Sequence, residues 1–502
     1  EIIKKAIATQ SYEVDGVSGA SLTSEGTKEA IEEAVKASGA KLTKVDAALK
    51  TNTKLPRQAD VVVIGGGGAG LTSAIAAYEK GASVILIEKT ELLGGNTNYA
   101  TAGLNAAGTS VQKKLGVEDS AELFYEDTMK GGKNRNNKAL VKVLTGKSSA
   151  IVDWLLERGA DLNELTSTGG QSAKRTHRPT GGAAVGPNIV SALSKTAENE
   201  KIDIRKGTKA IALVKGKNRI VGVKVREIDG KEYTIKAKAV IVATGGFGAN
   251  AKMVEKYNPK LKGFGSTNSP AIVGDGIIMV EKVGGALVDM SEIQTHPTVV
   301  YNKTNMITEA VRGEGAILVN KDGKRFIDEL ETRDVVSKAI LSQKGKSAFL
   351  IFDEDIRTKL KAADGYVKKG FAVEGTLEEI AAKIGTDAKT LEATLNKYNE
   401  AVRDKVDSEF NKKTLPKELT GTKYYAIEVS PAVHHTMGGV RINTNAEVLS
   451  KNGRPIKGLY AAGEVTGGIH GANRIGGNAV ADITIFGKIA GENAATYSKS
   501  VK

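Results

Sequence analysis

The sequence predicts an α/β fold: a parallel sheet flanked by helices, interrupted by an inserted α+β segment and preceded by a small N-terminal piece. Three observations predict it. Asp60-Val-Val-Val-Ile64 runs directly into Gly65-Gly-Gly67-Gly-Ala-Gly70. A second apolar run, Ser83-Val-Ile-Leu-Ile-Glu88, ends on an acidic residue. Glycine-bearing strand ends recur far downstream, at Ala243-Thr-Gly-Gly246 and Gly458-Leu-Tyr-Ala-Ala-Gly-Glu464. A continuous apolar run that stops at a glycine turn is the pattern of a strand buried on both faces.

Taken in order, residues 1–40 carry Asp15-Gly-Val-Ser-Gly-Ala-Ser21-Leu-Thr-Ser24. A helix is predicted after it, roughly Glu25–Ala37, with Ala30, Ile31, Ala34 and Val35 on one face. The Lys/Thr-rich residues 41–58 read as a linker. Residues 59–290 form the first part of the main domain. They hold the strand at Asp60, a helix over Leu71–Lys80, the strand ending at Glu88, and strand-rich stretches at Ile202–Glu227 and Tyr233–Ala243. Residues 291–434 read as the insertion, with a strand at Ala348-Phe-Leu-Ile-Phe352. Residues 435–502 return to the main domain and close on an apolar helix from Asn478.

The strand–glycine–helix–strand unit is the dinucleotide fingerprint, so the main domain is predicted to be Rossmann-like. Gly65, Gly67 and Gly70 let the backbone approach a pyrophosphate at the helix N-terminus, beside Ala69, and Glu88 is placed for ribose hydroxyls. Gly95-Asn96-Thr97, Thr244-Gly245 and Gly463-Glu464 converge from distant segments on one extended cofactor, which favours FAD over NAD. The helix from Asn478 would aim its positive end at the isoalloxazine ring and favour the anionic reduced flavin.

Composition removes several functions. At 502 residues two or three domains are expected. The net charge of +14 is dispersed, aromatic content is 5%, and no basic run carries interleaved aromatics, so nucleic acid is not an expected partner. The charge suits attraction of dicarboxylates or acidic redox partners. With no cysteines the chain forms no disulfide, iron–sulfur cluster or Cys-X-X-Cys-His haem attachment. No metal site is expected, and no apolar run approaches the ~20 residues of a membrane span. Cysteine avoidance and a start at Glu1 without Met suit an extracytoplasmic enzyme from which leading sequence was removed.

Four motifs point to the chemistry: Thr295-His296-Pro297-Thr298, Thr308-Glu309-Ala310-Val311-Arg312, His434-His435-Thr436-Met437-Gly438-Gly439 and His470-Gly471-Ala472-Asn473-Arg474-Ile475-Gly476-Gly477. Four of the five histidines lie in them. Histidine and arginine beside Thr and Gly-Gly indicate a site for an anionic substrate, held by charge-assisted hydrogen bonds. His177 and His470 are expected to be structural.

From Asp60 onward the chain resembles the flavoprotein subunit of the fumarate reductase/succinate dehydrogenase family, most of all the soluble flavocytochrome c type. The resemblance implies non-covalent FAD, because Asn96-Thr-Asn-Tyr99 stands where membrane-bound members carry the attaching histidine. It implies cofactor contacts from the residues above and from Lys89, Gly103, Ala210, Asp275, His435, Ala479 and Val480. It implies that His296 and Thr308 hold one substrate carboxylate, with Met306 helping to twist it, and that His434 and Arg474 hold the other. Twisting breaks conjugation, so hydride from flavin N5 adds to one alkene carbon while Arg333 protonates the other, resupplied through Glu309 and Arg312.

Asp15-Gly-Val-Ser-Gly-Ala-Ser21 resembles the end of the FMN-binding domain of bacterial flavoproteins, which implies FMN on Ser21 through a phosphoester bond. That FMN would take the place of the haems of the flavocytochromes and accept electrons from a cytochrome, quinol-linked or flavin-based donor. Reduction of fumarate to succinate is the leading reading. Reduction of another enoate (urocanate, acrylate, a cinnamate), an L-aspartate oxidase-like activity and a flavin-loaded electron carrier are the alternatives. Both carboxylate anchors are complete, which disfavours a monocarboxylate substrate.

Overall fold

The computed structural model describes residues 21–38 and 56–501. The chain divides into two compact units, 1–57 and 58–502.

In the first unit a helix spans Ser21–Ser38, so it begins at Ser21 and not near Glu25. Ile31 and Val35 are half-buried, but Ala30 and Ala34, expected on the same face, are exposed. The residues from Asp15 to Ala20, the linker up to residue 55 and the side chain of Ser21 lie outside the described residues.

The second unit is built on a parallel sheet. Gln58–Ile64 pairs in parallel with Val84–Ile87 on one side and Glu232–Val242 on the other. Asp203–Arg205 and Pro455–Ala461 extend the sheet outward, also in parallel. The hairpin Thr208–Lys215/Ile220–Glu227 adds antiparallel strands against Glu232–Val242. Gln58, read as the end of the linker, opens the first strand. Val61, Val62, Val63 and Leu86 are inaccessible to solvent, as a doubly covered sheet requires. The helix Gly68–Glu79 covers one side and packs against the C-terminal helix Asn478–Ser500. A side chain at Gly70 would overlap the carbonyl oxygen of Gly65, so the helix can lie this close to the strand only with glycine there.

A second sheet and a second apolar core arise between the strands Ile293–Val300 and Tyr424–Thr436. These two pair antiparallel, and Ala348–Asp353 and Ile317–Val319 follow in the sheet. The register slips twice along the first pair. Gln294 faces His435 and Thr295 faces Val433, so His434 is an extra residue in its strand, a β-bulge. The second slip falls at His296–Val299, where Pro297 has no N–H to give the ladder. Tyr424–Thr436 thus belongs to the inserted sheet throughout and carries His434 and His435 near its end, where both line the cleft described below. No helix among the described residues is long and apolar enough to cross a membrane.

Candidate active site

A long cleft runs along the carboxyl ends of the parallel strands. Every residue expected at the cofactor lines it, except Gly70, whose place is the helix–strand contact, and Gly463, which packs against Ala69 and Ile483. Gly67 caps the helix Gly68–Glu79 without a side chain, and the N–H of Gly68 donates to Thr97 Oγ1 at 3.1 Å, so the helix N-terminus meets the cleft through backbone alone. Glu88 accepts from the N–H of Gly66 at 2.8 Å and from the N–H and hydroxyl of Thr90, so it shapes the glycine turn as well as facing the cleft. Lys89 pairs with Asp275 at 2.6 Å, and Lys209 approaches the same carboxylate at 3.3 Å.

Toward the other end, Asn96 donates to Glu464 at 3.1 Å and to Asn268 at 2.6 Å. Glu464 also accepts from the N–H of Thr436, and burial raises its carboxyl pKa. His435 stands 3.7 Å from Glu464 and edge-on to His470, which pairs with Asp482 at 3.2 Å. His470 and His177 are buried and outside the cleft lining, and His177 bonds Thr109 and the Arg175 carbonyl. Thr244 Oγ1 and His435 Nε2 are buried in the cleft wall with no partner in the protein. A long cleft with a glycine cradle and orphaned polar atoms fits FAD.

The substrate motifs meet at the far end. Met306, Arg333, His434 and Arg474 line the cleft there. His296, Thr308, Glu309 and Arg312 stand behind them and do not reach its surface. The His296 ring lies 5.2 Å from that of His434. Thr308 caps the short helix Glu309–Gly313, its hydroxyl turned to the Ala310 N–H. Arg333 opens the helix Arg333–Leu341, where a cation opposes the helix dipole. Glu309 offsets this by accepting from Arg333 Nε at 2.8 Å. Arg312 comes only within 3.6 Å of Glu309 and donates instead to the Glu329 carbonyl at 2.5 Å.

The sequence reading missed Gln294. Its side-chain oxygen accepts from Arg333 Nη1 and Arg474 Nη2, each at 3.1 Å, and its amide nitrogen donates to Asn473 and the Arg474 carbonyl. Alternation along a strand places Gln294 on the same face as His296, a signal the sequence did offer.

Electrostatics follow from this crowding. Burial and then Arg333 keep His296 and His434 well below the usual histidine pKa, and both are neutral. Burial and Arg474 do the same to His435. Burial opposes ionisation of Glu309, but Arg333 and Arg312 outweigh it and hold the carboxyl at about 2. Burial and Arg333 lower Arg474 to about 9.

Comparison with known proteins agrees with this layout. Residues 60–480 match the FAD binding domain family, and residues 1–36 match the FMN-binding domain family. The chain is 52% identical to a fumarate reductase (cytochrome) of Shewanella frigidimarina over 88% of this chain and 77% of that protein. The chain belongs to this family of FAD-binding fumarate reductases. It is also 45% identical to the NADH:fumarate oxidoreductase of Klebsiella pneumoniae over 99% of its own length, and it spans 54% of that protein. Among solved structures it superposes on the open conformation of a flavocytochrome c3 fumarate reductase with a TM-score of 0.78. The identity there is 42%, covering 94% of this chain and 81% of that one. Family membership makes the chain an FAD-dependent oxidoreductase carrying both an FAD-binding and an FMN-binding domain.

Proposed function

We propose that the chain reduces fumarate to succinate. One observation carries the reading. At the end of the cleft two guanidiniums, Arg333 and Arg474, face the ligand space beside the neutral His434, while Glu309, the carboxylate bound to Arg333, stands behind them. Two cationic side chains directed into one end of the cleft suit a dicarboxylate dianion better than a monocarboxylate.

FAD, when bound, supplies the hydride. Arg474 and His434 hold one carboxylate, and His296, Thr308 and Met306 take the other. Two fixed ends orient the double bond and exclude other poses. Arg333 gives its Nε–H to Glu309 and one Nη1–H to Gln294, which leaves its Nη2 protons for donation to the substrate. Glu309 and Arg312 resupply that proton.

The FMN-binding match over residues 1–36 supports a covalent FMN at Ser21, accepting electrons from an external cytochrome, quinol-linked or flavin-based donor. An extracytoplasmic site of action agrees with the absence of cysteine.

The test is anaerobic oxidation of reduced methyl viologen by the FAD-loaded protein with fumarate, urocanate, acrylate and cinnamate. Fumarate should give the highest kcat/KM by far. Faster turnover of any monocarboxylate would overturn the reading.

A further inference from the structure

His434 is neutral in the folded protein, so its ring carries one N–H and one lone pair. Only the N–H form of the nitrogen that faces a carboxylate can bind it; the other tautomer would present a lone pair to a negative charge. Something must choose between them. The sole side chain bonded to this ring among the described residues is Thr267, whose Oγ1 lies 2.7 Å from Nδ1.

We infer that Thr267 donates its hydroxyl proton to His434 Nδ1 and so fixes the tautomer with N–H on Nε2, committing His434 to donate to a substrate carboxylate. This deepens the proposed function and rests on it only for the identity of the carboxylate.

The hydroxyl has one competing acceptor, the carbonyl of Val433, at 3.3 Å. That oxygen already takes the Thr267 N–H at 2.9 Å and is approached by Asn268 Nδ2 at 3.4 Å. The shorter contact to a ring nitrogen lone pair is therefore the better use of the proton. Thr267 is itself fixed by backbone alone. Its N–H bonds Val433 O, and Val433 N–H bonds Gly265 O at 2.9 Å, a bridge to the strand that carries His434. The side chain is thus free to serve the histidine, and Thr267 lines the cleft beside it.

A second consequence concerns proton transfer. With Nδ1 occupied by the hydroxyl and Nε2 by its own proton, His434 has no lone pair directed at the reacting atoms. It cannot act as a base there, and proton delivery stays with Arg333. Thr267 is a positioning residue: it touches the histidine, not the reaction.

The test uses FAD-loaded protein labelled with ¹⁵N-histidine. The chain has five histidines, and the His434 signals are assigned by their loss in His434→Asn. Two-bond ¹H–¹⁵N correlation should show His434 Nδ1 as pyridine-like and Nε2 as pyrrole-like. In Thr267→Val, which keeps the backbone bridge and the shape, the tautomers should mix or invert, and KM for fumarate should rise roughly 10- to 100-fold with kcat less affected. Thr267→Ser should restore both signals and KM. A pyrrole-like Nδ1 in the unmodified protein overturns the inference, as does an unchanged tautomer in Thr267→Val. The tautomer is read without turnover, so failure of fumarate reduction alone would sink the proposed function and leave this assignment standing.

Discussion

Arg333 and Arg474 share one acceptor: the side-chain oxygen of Gln294 lies 3.1 Å from a guanidinium nitrogen of each. Two like charges brought this close in a buried site repel, and a shared carbonyl dipole screens part of that repulsion while fixing both planes. Gln294→Leu should therefore disturb both arginines at once. The expected result is a loss of about 10- to 100-fold in kcat/KM for fumarate with FAD still bound. Gln294→Glu should be worse for binding, because a new carboxylate would pair with both guanidiniums and compete with the substrate. Equal KM values in the two variants would remove the bridge from the account.

Arg333 lies in no cofactor motif and faces the cleft with Glu309 behind it. Arg333→Ala should reduce fumarate turnover by about 10²–10⁴-fold or more while the visible FAD spectrum persists. Turnover close to the unmodified rate would take Arg333 out of the proton step.

Arg474 should show the opposite profile. Its removal leaves a substrate carboxylate without its partner in a buried site, at a cost of roughly 2–5 kcal/mol in binding. Steady-state kinetics of Arg474→Ala should show that cost mainly in KM. A KM within a few-fold of the original would mean that the substrate is oriented differently.

Stability should fall in mild acid. His177 is held at about 4 by burial, and His296, His434 and His435 lie well below 6.5 for the same first cause. The folded pKa values are lower than the unfolded ones, so the unfolded chain binds more protons and folding weakens as pH drops below about 6.5. Each histidine contributes about 1.4 kcal/mol per pH unit in that window. Glu309 adds nothing there, because its folded pKa of about 2 lies below its unfolded value and its contribution is complete above that unfolded pKa. Thermal melts from pH 7 to 4.5 should show a steep decline in Tm, less steep in His177→Gln. A flat Tm would contradict the burial of neutral imidazoles.

At the N-terminus, protein exported from a host with a flavin transferase should keep a fluorescent flavin after denaturation. Its intact mass should exceed the polypeptide by one FMN less water, and Ser21→Ala should lack the increment. An adduct located on Thr23 or Ser24 would keep the FMN and refute the choice of residue.

The sequence by itself determined the parallel sheet and its cofactor cleft, because these rest on local rules. A buried strand must be apolar throughout, the turn after it must be glycine for a backbone to approach a phosphate, and Gly70 must lack a side chain where the helix meets Gly65. Those demands fall on consecutive residues and can be read in one pass. The rough content of the substrate end was legible too, since Arg474 and His434 stand in recognisable motifs and the family resemblance pointed to Arg333.

What the sequence left open depends on register and on contacts between distant segments. The bulge that makes His434 an extra residue in its strand is set by pairing with Ile293–Val300, more than a hundred residues away. The same pairing brings Gln294 between two arginines and leaves His296 behind His434 at 5.2 Å instead of at the cleft surface. Thr267 reaches His434 through a bridge of two backbone hydrogen bonds, with nothing in its own neighbourhood to mark it. Periodicity assigns a side chain to a face of its own element. Which charges end up within hydrogen-bond reach, and which proton a neutral imidazole keeps, is decided only when the tertiary structure excludes water and leaves each buried polar atom the partners at hand.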